Sequence, residues 1–238
     1  MHRSAKRLAS LLTCAAVPML LVAGCSGSDS KSSGGSTPSG SSSATAGSPS
    51  PTVAAAKYKK LPNPCEAFSK DTLNTLLPKV KDAAGEPGKS TDPGVRGACS
   101  WSSSDEQGVD GTQFRWLDVA FQRYDSDPAI GSGEKRATDF YTQQIGDAKG
   151  TKGAKKVATV ATAGTGEAAT AITYDISKDD NDFKNTTIVA RTANIVVTLN
   201  YNGAGMAGAD TPNGNDLLKA AQAAAKEAVT AATKANKG

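Results

Sequence analysis

Thr186-Thr187-Ile188-Val189-Ala190-Arg191-Thr192-Ala193-Asn194-Ile195-Val196-Val197-Thr198-Leu199-Asn200-Tyr201-Asn202 is the stretch that decides the fold. β-Branched residues crowd it, which favours strand over helix. The run is too long for one strand, and Thr192-Ala193-Asn194 reads as a turn in its middle. Thr186–Arg191 and Ile195–Asn202 are therefore expected to be two arms of a hairpin. Ile188 and Ala190 on one arm, then Ile195, Val197 and Leu199 on the other, recur at every second position and form one inward face. Gly203–Gly208 reads as the loop that follows.

The same reasoning extends in both directions. Upstream, Val157–Thr162 and Ala168–Ile176 are predicted strands separated by Gly164 and Gly166. Ser132 is placed to cap a helix carrying Ala137, Phe140, Tyr141 and Ile145, with a stop at Gly146. Phe114–Tyr124 alternates, with Leu117, Val119 and Phe121 on one face and Asp118, Ala120 and Gln122 on the other. Ala98–Ser102 is a shorter alternating strand. Gly and Pro mark Gly85–Gly97 as a loop. Ser69 is the expected cap of a helix through Thr72, Leu73, Leu76 and Leu77, closed by Pro78.

Downstream, Thr211-Pro212 is expected to open the last helix, because Pro suits a first turn. Leu217, Leu218, Ala221, Ala225, Ala228, Val229 and Ala232 form its apolar stripe, with Lys219, Gln222, Lys226 and Thr233 facing away. The order of elements predicts an α+β fold. Its mainly antiparallel sheet of about five to six strands is covered by helices, including a long C-terminal Ala-rich helix.

The N-terminal segment belongs to a different economy. Arg3, Lys6 and Arg7 precede an apolar run, Leu8–Val22, that is short for a spanning helix. The run ends in Val22-Ala23-Gly24-Cys25, the pattern of a bacterial lipobox. Residues 1–24 read as a lipoprotein signal peptide, and Cys25 as the lipidation site that becomes the new N-terminus. Two or more acyl chains give stable anchoring. Residues 25–57 then read as a disordered Ser/Gly/Pro/Thr linker, and 58–238 as a single extracytoplasmic domain. The expected location is the extracytoplasmic face of the cell membrane.

Cleavage changes the composition. The chain carries 27 Lys+Arg and 23 Asp+Glu. Three of the bases and no acid leave with the signal, so the mature balance is 24 against 23. The basic character is thus a targeting feature and no sign of nucleic-acid binding. His2, the sole histidine, leaves too, which excludes Ser-His-Asp, Cys-His and histidine-metal chemistry in the mature chain. Cys14 is lost and Cys25 is acylated, leaving Cys65 and Cys99 in an oxidising compartment. One disulfide is the simplest reading, contributing about 3.5–4 kcal/mol through loop closure. The alternative is a pair of free thiols with a redox role, although no Cys-x-x-Cys is present.

Several motifs invite chemistry and have blander explanations. Ser132-Gly133-Glu134-Lys135 has the Ser-x-x-Lys spacing of penicillin-interacting enzymes, but the accompanying Lys-Thr-Gly is missing and helix capping accounts for Ser132. Gly164-Thr165-Gly166 imitates a dinucleotide fingerprint, yet a strand follows where a helix is required. Asp179-Asp180-Asn181-Asp182 offers oxygen ligands without EF-hand spacing, so no metal site is assigned. Lys149, Lys152, Lys155 and Lys156 form a basic stretch suited to anionic headgroups or wall polymers, or simply to water. No catalytic residues and no cofactor are assigned.

Asn63-Pro64-Cys65 before a helix, Gly97-Ala98-Cys99-Ser100-Trp101 on the next strand and Asp216-Leu217-Leu218 on the terminal helix occur in that order. Together they resemble domain-of-unknown-function family 3558, a group of actinobacterial secreted lipoproteins. The resemblance spans Leu61–Thr233. It implies a paired Cys65 and Cys99 and an envelope location, and carries no established activity. Trp101, two residues beyond Cys99 on a strand, is expected to cover the bridge.

The functional expectation is a lipid-anchored module without catalytic machinery. It would reach the membrane through its lipid and bind a cell-wall component, a small ligand or an envelope protein, with no nucleic acid. The alternatives are a carboxylate-dependent hydrolase of envelope glycans, whose chemistry needs no histidine, and a structural accessory subunit of an envelope complex.

Overall fold

The computed structural model describes residues 53–237. The leader, Cys25 and the linker through Thr52 lie outside the described residues, and the expectations made for them are not addressed by it. In chain order the elements are α1 (Lys70–Leu76), β1 (Glu86–Pro87), β2 (Arg96–Glu106), β3 (Thr112–Arg123), α2 (Gly133–Lys149), β4 (Lys155–Ala161), β5 (Ala168–Lys178), β6 (Asn181–Thr192), β7 (Ile195–Met206) and α3 (Gly214–Lys234). The strands form one antiparallel sheet in the order β1-β2-β3-β7-β6-β5-β4. The fold is α+β.

The hairpin forms, and it sits at the centre of the sheet. Its arms are longer than expected because neither flank ends where turn chemistry suggested. β7 continues through Gly203 and Gly205 to Met206. Gly205 is required there, because a Cβ would collide with the backbone carbonyls of Ala209 and Asp210. At the other flank, only Asp179 and Asp180 of the acidic cluster form the turn into β6. Both have positive φ, 49° and 58°. This is the geometry a two-residue hairpin turn demands and short polar side chains tolerate.

The sheet has seven strands rather than five to six. The additional one, β1, lies inside the predicted loop and pairs Glu86 with Ser100 and Pro87 with Cys99. It is an edge strand, where Pro is tolerated. Helix limits shift as well. α2 runs past Gly146 to Lys149 because nothing at Gly146 forces a break. α3 is capped by Asn213, whose side chain accepts from the N–H groups of Asn215 and Asp216, so Thr211-Pro212 precedes the helix instead of opening it. Ser69 and Ser132 do cap α1 and α2.

One face of the sheet carries the main core. Trp101, Leu117, Val119, Phe121, Ile188, Ala190, Ile195, Val197, Leu199 and Tyr201 are buried there, packed with α1 and α3. The Ala stripe of α3 (Ala221, Ala224, Ala225, Ala228, Ala232) is buried, which lets the helix approach β6 and β7 closely. Cys65 and Cys99 form a disulfide. Trp101 packs edge-on to Phe68 at 5.4 Å and donates its indole N–H to the Ala83 carbonyl at 3.3 Å. Gly85 (φ +74°) lies against Trp101 and Cys99 so tightly that a Cβ would collide with both.

The opposite face is only partly covered. α2 packs there through Ala137, Phe140, Tyr141, Ile145 and Ala148 onto Ile172, Val189 and Val196. The Tyr141 hydroxyl meets Thr170 Oγ1 at 2.7 Å.

Both ends of the domain are fastened at one end of the sheet. Asn194, fully buried, accepts from the Tyr58 N–H at 2.7 Å and donates to the carbonyls of Tyr58 (2.9 Å) and Tyr124 (2.8 Å). Asn236 accepts from the N–H groups of Lys59 and Lys60 and donates to the Lys60 carbonyl. Ala56 is already buried.

Candidate functional site

Registry across the sheet places three cross-strand rows on the face that α2 leaves uncovered. The first row is Ser100, Asp118, Asn200 and Thr187. The second is Ser102, Trp116, Asn202 and Asn185, continuing to Tyr174 on β5. The third is Ser104, Phe114, Ala204 and Phe183. Strict period-2 alternation forces this arrangement, since the residues between them build the core on the other side.

The aromatic members touch one another. Phe114 and Trp116 lie with ring centroids 5.7 Å apart and planes 8° from parallel. Trp116 and Phe183 are 6.0 Å apart and tilted by 35°. The small, buried Ala204 separates Phe114 from Phe183 in registry, and Trp116, opposite Asn202, meets Phe183 diagonally across β7. All three rings are half-buried, on a sheet surface where a scattered apolar side chain would need no explanation but a contiguous aromatic cluster does.

The polar members are partly prearranged. Thr187 Oγ1 donates to Asn200 Oδ1 at 2.7 Å, and Asn200 Nδ2 donates to Asp118 Oδ1 at 2.9 Å. Asn185 Nδ2 donates to the Phe183 carbonyl at 2.9 Å. Among the described residues, the side chains of Ser100, Ser102 and Asn202 have no hydrogen-bond partner in the protein. Asp118 has no ion-pair partner among them either. Beside these rows, the segment bearing Lys81, Asp82, Gly85, Glu86 and Pro87 walls a groove of about 580 Å³, floored by Ser100, Ser102, Trp116 and Asp118.

Burial pushes the Asp118 carboxyl above the ordinary carboxylate range, and the Asn200 amide offsets this only in part. A raised acid binds its proton more readily folded than unfolded. Stability therefore falls as pH rises through the window between the ordinary and the raised value, and the loss persists at neutral pH. The charged groups sharing the groove are Lys81, Asp82 and Glu86. Asp118→Asn keeps an acceptor for Asn200 and removes the desolvated charge. It is expected to raise the melting temperature at pH 7 and to flatten that part of the pH–stability curve. A variant that melts below the parent at pH 7 contradicts the assignment.

The motifs noted in the sequence do not converge here. Ser132 Oγ accepts from the Lys135 N–H as the cap of α2, while the Lys135 ammonium pairs with Asp139 at 2.7 Å. Gly164 and Gly166, both with positive φ, make the turn between β4 and β5. Asp182 leaves the acidic turn to accept from Ser177 Oγ at 2.7 Å. Among the described residues no group of three or more His, Cys, Asp or Glu side chains is arranged to hold a metal ion. Lys149 ends α2, Lys152 lies in the connection, Lys155 and Lys156 begin β4, and Lys156 reaches Asp175 at 3.4 Å. Phe114, Trp116, Phe183, Asn185, Asn200 and Asn202 were not singled out by sequence reasoning. Their signal was available: Phe114, Trp116 and Asp118 occupy the even positions of β3, opposite the core-facing odd ones.

The family model described as "Protein of unknown function (DUF3558)" matches residues 20–231. The chain belongs to this family. No curated protein matches it. Among solved structures, the crystal structure of LpqN, involved in cell envelope biogenesis of Mycobacterium tuberculosis, aligns at 15% identity. It covers 59% of this chain and 79% of that one, with a TM-score of 0.27. A likeness that loose carries no argument about this DUF3558 member. Among its described residues, no helix is long and apolar enough to cross a membrane.

Proposed function

We propose that this DUF3558 protein is a lipid-anchored component of the cell envelope that binds a ligand on the uncovered sheet face without chemical turnover. Anchoring rests on the basic n-region, the apolar run and the Val22-Ala23-Gly24-Cys25 pattern. The observation that carries the binding role is the set of three rows, with their aromatic cluster and their unpartnered Ser100, Ser102 and Asn202 side chains. A surface that served only to close the fold would be covered by α2 or would be uniformly polar.

Two experiments test the reading. Cells expressing the parent incorporate labelled palmitate into the protein, and Cys25→Ala abolishes incorporation; continued labelling of the variant would falsify the anchor. For the binding role, a photo-crosslinking amino acid at Ser102, on the groove floor, captures a ligand from envelope extracts. A Ser102 probe that captures nothing, while growth and folding are normal, removes the site.

One observation favours a second reading, the carboxylate-dependent glycan hydrolase. Asp82, Glu86 and Asp118 line the same groove, and a raised carboxyl is what a general acid requires. Release of new reducing ends from envelope polysaccharide by the parent but not by Asp118→Asn identifies an enzyme; binding without release identifies a binder.

A further inference from the structure

The uncovered rows suggest the class of ligand, and this inference rests on the binding role proposed above. We propose that the face binds carbohydrate, specifically a neutral oligosaccharide laid across β2, β3, β7 and β6.

Three features point to this chemistry. The first is the combination of groups. Phe114, Trp116 and Phe183 offer an apolar aromatic surface, and directly beside it in registry stand Ser102, Asn202 and Asn185, with Ser100, Asp118 and Asn200 one row further on. A pyranose ring presents apolar C–H groups on its faces and hydroxyls around its edge. It therefore requires a stacking surface and hydrogen-bonding groups within one ring's width of each other. Rows on one face of a sheet lie two residues, about 6.6 Å, apart, which meets that requirement.

The second is charge. Across the three rows Asp118 is the sole ionisable group with a carboxylate or ammonium; all other polar members are hydroxyls and amides. A nucleic acid, a phosphate-rich polymer or an acidic glycan would find no cation on the rows and one carboxylate opposing it. Hydroxyl groups, which both donate and accept, match a carboxylate and amides that do the same between them. The third is extent. Four strands span about 14 Å between the outer pair, more than one sugar ring, so the surface suits several linked units better than a single monosaccharide.

The competing occupants are an acyl chain and a protein. An acyl chain would leave Ser100, Ser102 and Asn202 desolvated without partners, at a cost for each, and would bury the Asp118 carboxyl further. A protein partner remains a definite outcome of the test below.

The test uses the purified protein with maltohexaose, cellohexaose and xylohexaose as neutral probes and polygalacturonate as an acidic control. Trp116 is one of two tryptophans in the chain, and the other, Trp101, is buried. Ligand contact is therefore read by intrinsic fluorescence and by calorimetry. The expected result is millimolar or tighter binding of at least one neutral probe, little changed by added salt because no ion pairs are formed. Trp116→Ala is expected to weaken it at least about tenfold. Trp116→Phe retains a stacking ring and is expected to keep most of the affinity. Asn202→Ala is expected to weaken binding with the melting temperature held, which guards against a variant that merely misfolds.

Failure of every neutral probe at about 10 mM overturns the proposal, as does a preference for polygalacturonate, or binding that ignores both Trp116→Ala and Asn202→Ala. The crosslinker at Ser102 separates the two levels. Capture of a protein or an acyl-bearing molecule there, with no sugar bound, rejects carbohydrate and leaves the binding face intact. Silence in both experiments rejects the face itself.

Discussion

Replacing Asn194 with alanine destabilises the domain by about 3–5 kcal/mol and lowers its melting temperature by about 10 °C. The size follows from what the amide holds. It is fully buried at the turn between β6 and β7 and satisfies three backbone groups at once: the Tyr58 N–H, the Tyr58 carbonyl and the Tyr124 carbonyl. Alanine leaves all three without a protein partner at a fully buried position. Each such group costs about 1–3 kcal/mol, and the side chain cannot be replaced by a neighbour. Asn194→Asp retains the acceptor but turns a carboxylate oxygen toward the Tyr58 and Tyr124 carbonyls in a fully buried site, so at pH 7 it is expected to cost at least as much as alanine. The control is Asn236→Ala. Asn236 also makes several backbone bonds, to Lys59, Lys60 and Ala232, but at a more open position where water substitutes. Its cost should be about 1 kcal/mol. Equal losses at the two positions would show that burial is not the source of the effect.

The second large effect is expected at Trp101. The indole is 4% exposed, lies edge-on to Phe68, donates to the Ala83 carbonyl and is roofed by Gly85, beside the Cys65–Cys99 bridge. Truncation to alanine removes the ring and leaves a cavity among groups that the disulfide and α1 hold in place. A cost of about 3–5 kcal/mol follows, as for other buried aromatics. Trp101→Phe keeps part of the volume and loses the hydrogen bond, so a smaller loss is expected. Urea unfolding of the three proteins measures the series, and its midpoint should shift without a change in slope. A midpoint within error of the parent for Trp101→Ala would mean the ring is not part of the core.

How much of this was readable in the sequence depends on which constraint acted. Ile188, Ala190, Ile195, Val197 and Leu199 announced their face because alternation and burial coincide in the central hairpin. Val189 and Val196 did not, since a strand buried on both faces loses the contrast that alternation relies on. Ser69 and Ser132 were legible as caps because their role is local. β1 was hidden because Glu86-Pro87 has no strand propensity of its own and is a strand only by pairing with β2 at the sheet edge. The ends of β5 and β6 around Asp179-Asp180 fell outside the predicted strands, since the chain on either side of that turn is polar and lacks apolar alternation, although Lys178 and Asn181 pair directly across it. The candidate site suffered most. Trp116, Asn202 and Asn185 come from three separate strands, and only the register of β3, β7 and β6 makes them neighbours.

The position of that register has a mechanical consequence. The described chain enters beside the β6–β7 turn, where Asn194 and Asn236 fasten it, whereas the Phe114–Trp116–Phe183 rings stand toward the far end of β7, roughly 30 Å along the strand. A force drawn between these two points runs parallel to the strands. The rungs of the central ladder then bear it together in shear, and none can be peeled away ahead of the rest.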